Sequence, residues 1–85
     1  MSGVHFDYDQ YRIDCIAEEI ERIIINNKEN RLYRQEIEND FGEALIHLKK
    51  AAIYTHCIDY LVSGDYGDDT FLDEISLRLR QLEIE

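Results

Sequence analysis

Residues 37–62 read IENDFGEALIHLKKAAIYTHCIDYLV, and the recurrence of their apolar side chains decides the fold. Ile37, Phe41, Ala44, Leu48, Ala51, Thr55, Ile58 and Val62 alternate spacings of four and three, the seam of a heptad helix. A second stripe, Ile46, Ile53, Cys57 and Tyr60, falls about 180° away when each residue turns the helix by about 100°. The C-terminal half of this helix is therefore apolar on two sides. Continued back to about Arg31 it holds about 32 residues and measures about 48 Å, whereas a compact chain of this size has a radius of gyration of only about 12 Å. Asp40-Phe41-Gly42-Glu43 offers an alternative, a fresh capping box that would interrupt the helix, with Gly42 costing roughly 1 kcal/mol relative to Ala in a helix interior. The continuous helix is the reading adopted.

Working outward, Ile13, Ile16, Ala17, Ile20, Ile23 and Ile24 recur at helical spacing and leave Glu18, Glu19, Glu21 and Arg22 largely on the other side. Asp7 is expected to cap this N-terminal helix, with Gln10 completing the capping-box pattern and Phe6 able to staple onto Tyr11. The helix is expected to stop near Asn26-Asn27, with Lys28-Glu29-Asn30 as the turn. After Val62, Ser63-Gly64-Asp65-Tyr66-Gly67-Asp68-Asp69 breaks the pattern. Thr70 then offers an N-cap for a helix of about 13 residues carrying Phe71 or Leu72, Ile75, Leu79 and Leu82. The fold class is all-α: one domain over residues 1–85, with a long central helix flanked by an N-terminal and a shorter C-terminal helix.

The absence of Pro and the presence of only 4 Gly suit helices, and 85 residues allow one modest core with no room for a separate catalytic domain. Nineteen acidic residues against nine basic ones give a net charge of −10, which repels nucleic-acid phosphates and anionic membranes. Direct nucleic-acid and membrane binding are therefore not expected. The charge is uneven: about −4 up to Asn27, about −1 from Lys28 to Val62 and about −5 beyond, so the middle segment best tolerates an anionic ligand. Cys15 and Cys57 have no C-x-x-C spacing, and with no signal peptide or long apolar run the expectation is a cytoplasmic protein with reduced thiols.

No catalytic or metal-binding constellation carries weight. Glu18 and Glu21 have the E-x-x-E spacing that all-helical nucleotide pyrophosphohydrolases use, but no second acidic pair of the required spacing accompanies them. Asp65, Asp68 and Asp69 do not match the alternating ligands of an EF-hand loop, and His5, His47 and His56 lack i, i+4 partners for zinc. The chain is read as a non-enzyme without cofactors. The informative groups are cationic and aromatic: Lys28, Arg31 and Arg34 near the first turn, Lys49 and Lys50 mid-helix, and the rings of Tyr8, Tyr11, Tyr54 and Tyr60. Such groups can hold a phosphorylated small ligand by charge-assisted hydrogen bonds and stacking, although pairing of the cations with neighbouring Glu is the plainer use of them. Because Ile46, Ile53, Cys57 and Tyr60 cannot favourably face water, they are expected to form the interface of a homo-oligomer; a kink at Gly42 closing a monomeric bundle is the alternative.

The stretch Leu48 to Asp65, with Ile16-Ala17-Glu18-Glu19-Ile20-Glu21 and Asn26-Asn27, resembles a group of small uncharacterised phage and prophage proteins over most of the chain. The Lys49-Lys50-Ala51-Ala52-Ile53-Tyr54 helix is similar to the central helix of phage anti-CBASS proteins, small helical homo-oligomers that sequester cyclic-nucleotide alarm signals between subunits. That resemblance implies stoichiometric anti-defence binding in the host cytoplasm, with Tyr11 and Arg12 of one subunit and Lys49, Lys50 and Tyr54 of another around the nucleotide. The competing class is an acidic inhibitor that substitutes for DNA on a host nuclease or DNA-binding protein.

Overall fold

A computed structural model describes residues 9–84. The capping residues expected at Phe6 and Asp7 lie outside that range. Three helices follow in order: α1 Tyr11–Asn30, α2 Gln35–Val62 and α3 Asp68–Ile84. No strand occurs among the described residues. The central helix is unbroken through Gly42, where open space surrounds the position a Cβ would occupy, so its continuity costs only the glycine's backbone entropy.

The expected boundaries shift for identifiable reasons. Helix α1 does not stop at Asn26-Asn27, because the Asn27 side chain serves the turn instead of ending the helix. Its Nδ2 donates to the Tyr33 carbonyl (3.1 Å) and to Glu38 Oε1 (3.0 Å), and its Oδ1 accepts the Tyr33 N–H (2.7 Å). The left-handed residue is Arg31, at φ 52° and ψ 45°, whose N–H returns to the Asn27 carbonyl at 2.8 Å. Helix α2 accordingly begins at Gln35, a few residues later than Arg31. Helix α3 begins at Asp68, ahead of Thr70, because the Gly67 carbonyl already accepts the Phe71 N–H at 3.0 Å. The intervening turn closes on the Tyr60 carbonyl, which accepts the N–H groups of Asp65 (2.8 Å) and Tyr66 (3.2 Å), with Gly64 at φ 88° supplying the left-handed step.

Helix α1 runs antiparallel to α2, in a register marked by Gln10–Asp59, Asp14–His56, Glu21–Lys49 and Asn27–Glu38. It lies along Glu38, Ala52 and Asp59, a line between the two apolar stripes of α2. The contact is small at its centre, where Ala17 and Ala52 are buried, and polar at both ends. Gln10 Nε2 donates to Asp59 Oδ2 at 3.2 Å at one end, and the Asn27–Glu38 clasp holds the other. Helix α3 packs on another flank of α2, and no Cα of α1 comes within 8 Å of one in α3.

The result is one layer of helices. Its principal extents are 46 × 26 × 14 Å, long and narrow, with α1 and α3 each resting on α2 and no buried core shared by all three helices among the described residues. The radius of gyration, 15.4 Å, exceeds the roughly 12 Å of a compact chain of this length. Buried apolar residues are confined to Ala17, Ala52 and Cys57 among the described residues; no large aliphatic side chain is fully enclosed.

This arrangement reverses the expected fate of the two stripes. Helix α3 covers the second one: Cys57 is 0% exposed and has no surface left for another subunit, Ile53 and Tyr60 are half-buried, and only Ile46, at 44%, stays open. The heptad seam, expected to lie under the flanking helices, is the more open one: Ile37 at 38%, Ile58 at 36% and Val62 at 53% are exposed, while Phe41, Ala44, Leu48 and Thr55 are half-buried. The cause is the polar contact line of α1. Seating Glu38 and Asp59 under α1 turns the heptad seam outward.

Two outcomes follow for the Asn27 clasp. Asn27→Ala removes three hydrogen bonds at a site 1% exposed and should lower the unfolding free energy by about 2 kcal/mol, read from the urea midpoint. Glu38 also accepts from Lys28 Nζ (3.3 Å) and Gln35 Nε2 (3.2 Å), and the Asn27 hydrogen bond is the largest cause holding its carboxyl below the ordinary value. A depressed folded-state pKa stabilises fully above the unfolded carboxyl pKa, about 4.3, and the benefit is lost as pH falls through the lower folded value. Acid titration of stability should therefore show a loss beginning near pH 4 that Glu38→Gln diminishes; an unchanged acid limb would contradict the assignment.

Candidate functional site: a groove between the outer helices

Because α1 and α3 flank α2 without meeting, a groove of about 720 Å³ opens over the central helix. That volume lies in the range of small-molecule sites, about 300–1,000 Å³, although this groove is open along its length. Its floor is Lys49, Ala52, Ile53, His56 and Tyr60 from α2. Tyr11, Asp14, Ala17, Glu18 and Glu21 of α1 form one wall, and Arg78, Gln81 and Leu82 of α3 form the other.

Five charged or titratable side chains of the groove, Asp14, Glu21, Lys49, His56 and Arg78, have partners. His56 Nε2 lies 2.9 Å from Asp14 Oδ2, and the Tyr11 ring meets the imidazole edge-on with centroids 4.9 Å apart. Lys49 Nζ pairs with Glu21 Oε1 at 3.1 Å. On the other wall Arg78 Nη2 donates to the Tyr66 hydroxyl (3.3 Å) and its Nε to Glu74 Oε2 (3.3 Å). Burial raises the Tyr66 hydroxyl pKa, so it stays protonated and neutral beside the guanidinium. A phosphorylated ligand entering a single chain would compete with Glu21 for Lys49 and with Glu74 for Arg78, and would face Asp14 and Glu18.

Of the residues expected around a nucleotide, the groove brings together Tyr11 and Lys49. Arg12 points outward and pairs with Asp9 at 3.4 Å, both well exposed. Lys50 and Tyr54 are exposed on other faces of α2. One chain therefore does not assemble the five-residue set. Of the expected interface residues, Ile53 and Tyr60 lie on the groove floor, and Cys57 is interior. Sequence reasoning missed Asp14, His56 and Arg78. A polar residue three or four positions from Ala52 and Asp59 was the available signal for His56, since that spacing places it next to the α1 contact line. Among the described residues no three His, Cys, Asp or Glu side chains converge as a metal site, and no helix is long and apolar enough to cross a membrane.

The two thiols provide a check on the packing of α3. Cys15 is exposed on the outer side of α1, whereas Cys57 is enclosed and burial raises its pKa, which disfavours the reactive thiolate. Ellman's reagent should therefore titrate one fast thiol per native chain, and the second only on unfolding. Two fast thiols would mean that α3 does not cover Cys57.

Comparison with known proteins matches the chain to no family model, no curated protein and no solved structure.

Proposed function

We propose that the chain is a non-enzymatic binding protein that acts as a homo-oligomer in the cytoplasm. The observation that carries this reading is the thin burial: Ile16, Ile37, Ile58 and Val62 are exposed, and no large aliphatic side chain is buried among the described residues. Fully burying one such side chain stabilises by about 1.5–3 kcal/mol, so association is the strongest driving force the surface offers. The ligand class that goes with it is a phosphorylated nucleotide signal, sequestered stoichiometrically, as an anti-defence protein of a phage would do. Support comes from Tyr11 and Lys49, a ring and a cation that share the groove between α1 and α2.

A second reading, an acidic inhibitor occupying the basic site of a host nuclease or DNA-binding protein, is favoured by the net charge of −10 and by Glu36, Asp40 and Glu43, exposed at successive turns of α2. Native mass spectrometry of the purified protein separates the two. The nucleotide reading expects multiples of the 10.1 kDa chain, retained small-molecule mass, and a rise in melting temperature with micromolar cyclic dinucleotides. Indifference to those nucleotides, with salt-sensitive capture of a DNA-binding protein, would replace it with the second reading.

A further inference from the structure

The open seam of α2 has a pattern that reads the same in both directions. Ile37, Ala44, Ala51 and Ile58 recur every seven residues as large, small, small, large. A second copy laid antiparallel about a twofold axis would set Ile37 opposite the partner's Ile58 and Ala44 opposite the partner's Ala51. Small residues at the centre let two helix backbones approach closely, and large ones fill the widening ends. The neighbouring row, Phe41, Leu48, Thr55 and Val62, is uncharged but does not share that symmetry: in the same register Phe41 stands at the level of the partner's Tyr54 and Leu48 at that of the partner's His47. Thr55 turns its hydroxyl back onto the Ala51 carbonyl at 2.6 Å, which satisfies its polar group within the helix.

Three further observations select a second copy as the occupant. First, none of these eight seam residues is charged, in a chain of net charge −10, and the exposed Asp40 at the edge of the seam comes level with the partner's uncharged Thr55 in this register. Second, a hollow of about 410 Å³ opens on the flank of α1 away from the groove, with Ile23, Leu32, Tyr33 and Phe41 on its apolar side and Glu19, Arg22, Asn26 and Asn27 on its polar side. The antiparallel register carries the partner's exposed Val62 to the level of Tyr33, beside that hollow. Third, α2 and the adjoining flank of α1, where Ile16 and Ile23 are exposed, present a strip about 42 Å long and about 20 Å wide. On the order of 800 Å² per subunit is what a stable protein pair buries.

We infer that two copies of this chain associate through antiparallel packing of their α2 seams, with Ala44 and Ala51 at the centre of the interface. This rests on the homo-oligomer reading and assigns it a surface. It leaves both grooves free on the outer faces of the dimer.

Cysteine cross-linking tests the arrangement in a Cys15→Ser background. His47 is exposed beside the proposed axis, so His47→Cys should oxidise to a covalent dimer in high yield. Ile37→Cys should not couple to itself, because the two copies of that position stand about 31 Å apart in the antiparallel register. Mixing Ile37→Cys with Ile58→Cys should give the heterodimer. Ala51→Glu should halve the mass measured by light scattering; if that variant fails to fold, the cross-links alone decide. An oligomer in which Ile37→Cys couples to itself, or one that survives folded with Ala51→Glu, would overturn this interface and leave self-association standing. A wild-type chain that is monomeric at every concentration would overturn both.

Discussion

The structure depends on where α1 seats itself, and two side-chain clasps decide that. At one end Asn27 and Glu38, and at the other Gln10 and Asp59, are buried and hydrogen-bonded to each other. A buried carboxylate without its donors would be strongly unfavourable, so the register in which both clasps form is separated from slipped alternatives by more than apolar contact would provide. Between the clasps only Ala17 and Ala52 are buried, which brings the helices together without requiring large side chains there.

The consequence is a rotation of α2 about its own axis relative to what its apolar pattern suggests. With Glu38, Ala52 and Asp59 under α1, and Cys57 under α3, the heptad seam points into solvent. Three helices that could have closed into a bundle instead lie side by side. A bundle buries a common core among all its helices; a layer buries only two pairwise contacts, and here those contacts are narrow. The apolar surface left outside is a property of this packing, since the composition, 45% hydrophobic, is ordinary for a folded domain.

Much of this was legible in the residues. The spacing from Ile37 to Val62 predicts the long continuous helix, and the glycines at positions 64 and 67 predict the turn into the third. The excess of apolar surface on α2 was equally readable. Which stripe would be left over was not, because the deciding residues, Asn27, Glu38 and Asp59, are of types that usually face water, and only tertiary pairing makes them interior. In the groove, Tyr11 and Lys49 were singled out as a ring and a cation, whereas Asp14, His56 and Arg78 acquire their positions from the α1 and α3 registers. No local pattern encodes those registers.

If the layer is half of a larger core, folding and association are one process, and stability must depend on how much protein is present. The most direct measurement is the thermal unfolding midpoint over about a hundredfold range of chain concentration. The account predicts a midpoint that rises steadily with concentration. A midpoint independent of concentration, with a cooperative transition, would show that the single layer is stable by itself and would contradict the central claim.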